Sequence, residues 1–241
     1  MDSFPYDHLI IDNFFPIDKA RKLSQEFPEY DSNLWYQYKN PLENKKSSNN
    51  WWDFPPETYK TFCFLNSCEF LNTLREKTGI QKLYPDIGLH GGGWHIHGRG
   101  GKLNIHLDYS IHPKSGLQRK LNLIVYLTEG WDSEWGGGLE LWSHNPDNKL
   151  PLRREKTIHN VFNRAILFDT TQNSWHGLPQ PLSCPEGVYR KSLAVYYMTD
   201  PPDKVDTRQR ALYAPTEEQS DDKEVLDFIQ QRVLWKGKPK L

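Results

Sequence analysis

Long hydrophobic runs are missing from this sequence, in which no stretch approaches the roughly 18 uninterrupted apolar residues of a membrane-spanning helix. The first residues, MDSFPYDHLIIDNFF, contain acidic side chains and lack the basic start and continuous apolar run of a signal peptide. Cysteine is also scarce, and Cys63, Cys68 and Cys184 do not have zinc-finger spacing. These absences predict a protein without membrane segments in a reducing, cytoplasmic compartment.

The charges are nearly balanced, with 30 Lys and Arg residues against 31 Asp and Glu residues and no long basic block. This balance does not indicate nucleic acid as a partner. A hydrophobic fraction of 37% and a charged fraction of 25% are typical of a globular rather than a disordered protein. The length suits one hydrophobic core, so we expect a single domain over residues 1–241.

The first part of the chain, residues 1–80, is predicted to be a largely helical flank. A short strand over 6–15 precedes a helix that begins after Pro16 and places apolar residues on one face. Residues 57–78 predict two further helices, the second of them capped by Ser67.

Residues 30–56 show no periodic pattern and are rich in Asn, Ser, Lys and Pro, which predicts a long loop. Several tryptophans and tyrosines interrupt this segment between positions 35 and 52. They fit either the rim of a substrate site or ordinary packing, and the sequence leaves both interpretations open.

Beyond residue 80 the pattern changes to short segments rich in β-branched and aromatic residues. A run of strands without intervening helices predicts an antiparallel sandwich or barrel over 81–200. In the tail, 201–241, a helix is expected over 216–235, with Thr216 and Gln219 as a capping box. The predicted strand segments are 82–89, 93–97, 102–110, 120–128, 138–143, 158–169, 174–178 and 190–198.

The strongest chemical signal lies in the segment LNIHLDYS, residues 103–110. His106 and Asp108 are two positions apart in a predicted strand, so their side chains point to the same face. A carboxylate on the inner face of a sandwich is costly unless a cation or hydrogen bonds compensate it, and a metal ion is such a cation. The pair alone is weak evidence, because this spacing also occurs by chance.

Two later residues strengthen the prediction of a metal site. His176 stands at the head of a strand, and two histidines with one carboxylate are the ligands that bind one face of an oxygen-activating iron(II) ion. Arg190 opens the otherwise apolar strand RKSLAVYYM. A co-substrate with a distal carboxylate needs a rigid, bidentate cation of this kind at its far end.

The chain from His106 onward resembles the core of the 2-oxoglutarate/Fe(II) oxygenases, and specifically their prolyl 4-hydroxylase-like branch. The N-terminal YDHLIIDNFFP is similar to the usual first strand of this branch. The interval between His176 and Arg190 is longer than is common in it. The features that match are the His-x-Asp pair, LIVYLTEGWDSEWGGGLELW at 123–142, NRAILF at 163–168, His176-Gly177 and Arg190.

The resemblance implies an α+β protein with a double-stranded β-helix core, a cupin-like jelly roll, between N-terminal helices and a C-terminal helix. It also implies iron(II) bound by His106, Asp108 and His176, with 2-oxoglutarate and O2 as co-substrates and ascorbate as a candidate reductant. Arg190 is expected to receive the 5-carboxylate of 2-oxoglutarate. Tyr126 matches a tyrosine that often shares this contact.

The implied reaction is hydroxylation of an unactivated C–H bond with release of succinate and CO2. Related halogenases replace the carboxylate ligand with a small residue, so the presence of Asp108 favours hydroxylation. The expected substrate is either peptidyl, prolyl residues included, or a small molecule such as an amino acid, a peptide natural product or a sugar-linked metabolite. The sequence does not rank these further.

Several nearby residues offer alternative assignments. His95 and His97 are also two positions apart, but no carboxylate is adjacent, so a structural or substrate-contact role is favoured over metal ligation. Lys191 is a second candidate for the 2-oxoglutarate carboxylate, although strand alternation places it opposite to Arg190. Ile96 occupies roughly the position at which relatives often have a tyrosine.

Two other functions are compatible with the fold. The first is a catalytically inactive, cupin-like binding protein, which the retention of all three ligands and of Arg190 disfavours. The second is a zinc hydrolase on the same ligands, which explains neither Arg190 nor the family pattern. Metal content together with succinate release from 2-oxoglutarate separates these functions.

Overall fold

The computed structural model describes residues 1–234, and these contain thirteen β-strands and four α-helices. The helices are α1 (Ile17–Gln25), α2 (Pro56–Leu65), α3 (Cys68–Thr78) and α4 (Lys223–Leu234). The strands are β1 (His8–Ile11), β2 (Tyr36–Asn40), β3 (Glu43–Ser48), β4 (Tyr84–Pro85), β5 (Gly93–His97), β6 (Lys102–Leu107), β7 (Gln118–Tyr126), β8 (Leu139–His144), β9 (Pro151–Ile158), β10 (Ala165–Asp169), β11 (Trp175–Leu178), β12 (Arg190–Thr199) and β13 (Leu212–Tyr213).

Ten strands follow one another in an antiparallel sheet in the order β1-β10-β7-β12-β5-β3-β6-β11-β8-β9. The other three join it at its members: β2 pairs with β3, β4 with β12 and β13 with β6. Strand β12 is central, because it pairs with β7 on one side and with β5 on the other. Its residues are buried on both faces, in agreement with the continuous apolar run that the sequence shows there. The sheet curls on itself, so that β5, β7 and β12 line the same cavity as β6, β8 and β11.

The N-terminal helices cover one face of the sheet. Leu23 of α1, Phe62 of α2 and Leu71 of α3 belong to the same buried cluster as Trp94 of β5 and Leu193 of β12. Burying these apolar side chains stabilises the helices, which are too short to be stable alone in water. The helical flank therefore supports the sheet from behind, away from the cavity.

The predicted break between α2 and α3 is confirmed. The Ser67 hydroxyl accepts a hydrogen bond from the Phe70 amide and so caps the start of α3. Gly79 ends this helix with a φ of 75°, a left-handed conformation that glycine adopts without steric cost.

The long loop predicted over residues 30–56 is wrong in its central part, which forms the β2–β3 hairpin. Tyr36 pairs with Ser47, and Asn40 pairs with Glu43. The Asn40 side chain accepts hydrogen bonds from two backbone amides and thereby stabilises the turn. The lysines, asparagines and serines of this hairpin have weak strand preference, so pairing of β3 with β5 and β6 determines its structure.

Other differences concern the bounds of single elements. The strand predicted over 82–89 is reduced to β4, and only the end of the segment 158–169 forms β10. Strands β9 and β13 were not predicted, because their sequences lack alternation or are very short.

In the tail, the Gln219 side chain accepts a hydrogen bond from the Thr216 amide, as expected for a capping box. This box begins a short 3-10 helix, Glu217–Gln219, and α4 follows it from Lys223. Residue 235 of the predicted tail helix lies outside the described residues. Within residues 1–234 no helix has the length and apolar character needed to cross a membrane.

Candidate metal centre and co-substrate pocket

The curled sheet encloses a cavity of about 180 Å³. Its two ends carry different chemistry: one presents imidazoles and a carboxylate, and the other a buried arginine. The side chains that line it include His97, His106, Asp108, Arg119, Asn122, His176, Arg190, Ser192, Tyr196 and Tyr213.

Three predicted ligands meet at the first end. His106 of β6 and His176 of β11 lie directly opposite each other in the antiparallel register, and Asp108 follows β6 by one residue. Nε2 of His106 is 3.9 Å from Oδ1 of Asp108, and Nε2 of His176 is 3.8 Å from Oδ2. One ligand atom from each residue lies within 4.8 Å of the others, and all three side chains are buried.

The two histidines are held in the tautomer that a metal requires. Nδ1 of His106 lies 2.9 Å from the Asn104 carbonyl, and Nδ1 of His176 lies 2.8 Å from the Ser174 carbonyl. A carbonyl only accepts, so each Nδ1 carries the proton and each Nε2 presents a lone pair to the cavity. Burial lowers the pKa of both imidazoles, which keeps them neutral. The donor set therefore fits iron(II).

Two residues that the sequence did not single out hold Asp108. Nη1 of Arg119 lies 3.1 Å from Oδ1 of Asp108, and the Asn122 amide donates to Oδ2 at 3.2 Å. Burial acts to raise the pKa of Asp108, but the charge of Arg119 and the hydrogen bond from Asn122 outweigh it and hold the pKa at about 2. Asp108 is thus an ionised carboxylate in a fixed orientation.

Arg119 is itself fixed by aromatic rings. Its guanidinium carbon lies 3.3 Å from the ring centroid of Tyr109 and 3.3 Å from that of Tyr196. Nη2 also donates to the His90 carbonyl at 2.7 Å. The stacked guanidinium loses little freedom when it contacts Asp108, which makes it an effective clamp.

Sequence alternation could have found one of these two residues. Asn122 and Tyr126 are four positions apart on β7, so they share the face that lines the cavity. Arg119 could not be placed in this way, because the pairing of β7 with β12 shifts register between Tyr197 and Met198.

Arg190 lies at the other end of the cavity, as the first residue of β12. It is 3% exposed, and among the described residues no carboxylate pairs with it. Its Nε donates to the Gly137 carbonyl at 2.7 Å, and its guanidinium carbon lies 4.7 Å from the Tyr126 ring centroid. The Tyr126 hydroxyl is buried and makes no hydrogen bond of normal geometry within the described chain. A carboxylate guest would satisfy both side chains.

The glycines before β8 make room for Arg190. Gly137 has a φ of 78°. A Cβ atom on it would lie 3.0 Å from Cδ of Arg190 and 2.9 Å from Leu182. Only glycine combines this backbone conformation with so close an approach.

The structure also shows where the other residues considered for the pocket lie. Lys191 points to the opposite face, where its Nζ donates to the Ser24 carbonyl at 2.9 Å. Ile96 lies in the hydrophobic core on that same face, so it does not occupy a pocket position. His95 and His97 are the residues of β5 that line the cavity, and neither belongs to the metal cluster of the described residues.

The wall over His106 comes from the hairpin and from the tail. The Tyr213 ring stacks on the His106 ring with centroids 5.1 Å apart, and its hydroxyl donates to Glu43 at 3.0 Å. Glu43 is buried and forms ion pairs with Lys45 at 3.5 Å and Arg232 at 3.3 Å. The sequence did not indicate this cluster, since its members are far apart along the chain.

Comparison with known proteins agrees with this geometry. Residues 92–198 match the model of the 2OG-Fe(II) oxygenase superfamily. No curated protein matches the chain in sequence.

Three solved structures illustrate the fold. A Pseudomonas putida prolyl-4-hydroxylase aligns with a TM-score of 0.54 and 14% identity over 80% of this chain and 92% of that one. A Trichoplax adhaerens prolyl hydroxylase in complex with a hypoxia inducible factor peptide fragment aligns with a TM-score of 0.56 and 18% identity, over 80% of this chain and 83% of that one. HygX from Streptomyces hygroscopicus, with nickel, 2-oxoglutarate and hygromycin B bound, aligns with a TM-score of 0.50 and 14% identity, over 80% of this chain and 82% of that one.

These likenesses confirm the predicted jelly-roll, or double-stranded β-helix, fold. Together with the family match, they confirm the resemblance to the prolyl 4-hydroxylase-like branch. The core at residues 92–198 therefore has the sequence pattern of the 2-oxoglutarate- and iron(II)-dependent oxygenases.

Proposed function

We propose that this oxygenase hydroxylates an unactivated C–H bond of a peptidyl or small-molecule substrate and releases succinate and CO2. One observation carries the proposal: three metal-ligand atoms cluster within 4.8 Å at one end of a cavity whose other end holds a buried arginine. An iron site alone does not require that arginine, whereas a metal-chelating dicarboxylate does.

The residues of the metal end would act as follows. His106, Asp108 and His176 bind iron(II), which together with O2 and 2-oxoglutarate supplies the oxidising chemistry. Arg119 and Asn122 orient Asp108 and keep it ionised. Asp108 would occupy the ligand position at which a halide binds in the related halogenases. Its presence therefore favours hydroxylation over halogenation.

The residues of the distal end would bind the co-substrate. Arg190 offers its Nη groups to the 5-carboxylate of 2-oxoglutarate, and the Tyr126 hydroxyl donates a second type of hydrogen bond to it. Burial makes this contact strong, since little water competes for the charge. We further propose that residues 1–241 act as one domain, with the helical flank supporting the sheet.

The observations disfavour the two alternative functions. An inactive binding protein would not need, in one cavity, both a complete set of three candidate ligands and a buried arginine that no carboxylate of residues 1–234 pairs with. A zinc hydrolase would have no use for Arg190, because water is its only co-substrate.

The substrate class is open between peptides and small molecules. The Trichoplax protein is in complex with a peptide fragment, and HygX has hygromycin B bound. The β2–β3 hairpin contributes Tyr38, Lys45 and Ser47 to the cavity wall. We propose that this polar, aromatic hairpin contacts the substrate, whichever class it belongs to.

The test is succinate release by the iron-loaded protein over a panel of prolyl peptides, amino acids, aminoglycosides and nucleotide-sugars. We expect one substrate class to stimulate succinate formation above the rate without substrate, and its product to gain one oxygen atom from ¹⁸O2. The His176→Ala protein is the negative control. Hydrolysis of a substrate without O2 consumption, or a chlorinated product in the presence of chloride, would contradict the proposal.

A further inference from the structure

His97 is a buried side chain that the functions assigned above do not use. It is 2% exposed and lines the cavity. Neither of its ring nitrogens has a hydrogen-bond partner among residues 1–234. Buried polar groups in native proteins nearly always have partners, so an imidazole that faces a cavity without one indicates a ligand contact.

The strand register places His97 beside Arg190. The two residues are directly opposite each other in the antiparallel pair of β5 and β12. Directly opposite residues share one face of a sheet, with Cβ atoms about 4.5–5.5 Å apart. One step further along, His95 faces Ser192, which in turn faces Tyr126 of β7. His97 is therefore the member of β5 nearest to the start of β12.

His95 provides an internal contrast. Its Nε2 lies 3.2 Å from the Gly91 carbonyl, so its hydrogen-bonding capacity is used at least in part within the protein. His97 has no such contact, although both histidines line the cavity from the same strand. The difference points to a guest beside Arg190 rather than to a general feature of β5.

We propose that His97 donates a hydrogen bond to the distal carboxylate of bound 2-oxoglutarate, as a third donor beside Arg190 and Tyr126. This inference rests on the proposed function, because it needs 2-oxoglutarate in the cavity. A neutral imidazole has one N–H group, which suits a single hydrogen bond to a carboxylate oxygen. Burial and the neighbouring Arg190 lower the pKa of His97 well below its ordinary value, so His97 adds a donor without a second buried charge.

Binding of 2-oxoglutarate to the iron(II)-loaded protein under anaerobic conditions tests the proposal by calorimetry, without turnover. His97→Phe keeps a ring of similar size and removes both nitrogens. We expect it to raise the Kd for 2-oxoglutarate roughly ten-fold or more, the usual effect of losing a hydrogen bond to a charged group. His97→Gln retains an N–H donor and should recover most of the affinity.

Two controls make the result specific. Ile96→Val alters the same strand on its core face, so it should leave the Kd unchanged. For 2-oxopentanoate, which has a methyl group in place of the distal carboxylate, the His97→Phe effect should fall below about two-fold if the lost hydrogen bond went to that carboxylate. Iron stoichiometry and the unfolding temperature show whether each variant folds.

An unchanged Kd in folded His97→Phe protein overturns the proposal, and so does an equal loss for both keto acids. Failure of the proposed function has a different signature. In that case the unaltered protein does not bind 2-oxoglutarate, or Arg190→Ala does not weaken its binding.

Discussion

The two ends of the cavity differ in how far the protein itself holds the side chains that face a guest. At the metal end, His106 and His176 donate to backbone carbonyls, and Asp108 receives Arg119 and Asn122. At the distal end, His97 has no hydrogen-bond partner among residues 1–234, the Tyr126 hydroxyl makes no hydrogen bond of normal geometry there, and no carboxylate of these residues pairs with Arg190.

This contrast separates two ways of building a site. Hydrogen bonds from neighbouring groups orient the side chains that bind a metal ion, because the ion contacts only one atom of each ligand and does not fix the rest of the side chain. The carboxylate pocket instead keeps its hydrogen-bonding capacity for the guest, so its polar groups are complete only when the guest is bound. Substitutions at the two ends should therefore affect different ligands.

The largest expected effect is at the metal end, where His176→Ala removes one of three ligands. We expect loss of most iron(II) affinity and of all succinate formation, because the remaining histidine and carboxylate bind the ion much more weakly than the three ligands together. Metal analysis after gel filtration measures the first, and coupled succinate detection the second. The exposed His159 offers a matched control, as His159→Ala should retain both properties. Full activity of the His176→Ala protein would show that the metal site lies elsewhere.

A smaller effect is expected at the distal end from Arg190→Ala. A buried carboxylate left without its cation costs about 3–5 kcal/mol, so the Kd for 2-oxoglutarate should rise by roughly two to three and a half orders of magnitude. Iron binding should persist, which distinguishes this variant from His176→Ala.

Lys191→Ala is the matched comparison for Arg190→Ala, because this neighbouring cation points to the other face of β12. It should leave the Kd for 2-oxoglutarate close to that of the unaltered protein. If Lys191→Ala weakens binding and Arg190→Ala does not, the assignment of the two residues has to be exchanged.

The smallest effect is expected from Asn122→Leu, which removes one of the two donors that hold Asp108. Loss of such a supporting contact lowers metal affinity by roughly ten-fold, and Arg119 remains to orient the carboxylate. Titration with iron(II) measures this change. The Kd for 2-oxoglutarate at saturating iron should not change, and a clear loss there would mean that the two ends are coupled.

The cluster of His106, Asp108 and His176 could be predicted because its signal is local. His106 and Asp108 share a strand face by alternation, and His176 and Arg190 stand at the starts of strands. Alternation also placed Lys191 correctly on the far side of β12. The bounds predicted for β5, 93–97, are those observed, and the same rule places His95 and His97 on the cavity face and Ile96 on the core face.

The clamp on Asp108 and the β2–β3 hairpin could not be predicted, since long-range contacts determine both. Arg119 lies on β7 where the pairing with β12 shifts register, and the two aromatic rings that pack on its guanidinium belong to Tyr109 and Tyr196, which lie on other segments. The hairpin has a polar sequence whose strand structure depends on partners about fifty residues later.

Strand β13 has a consequence for where this protein can be cut. The family match ends at residue 198, yet Tyr213 lies against His106 and hydrogen-bonds to Glu43. A fragment trimmed to the matched region would expose one side of a metal ligand and leave a buried carboxylate without its phenol partner. We therefore expect a working fragment to extend past Tyr213 and to keep Arg232, which also pairs with Glu43, so a fusion partner is better joined beyond α4 than at the end of β12.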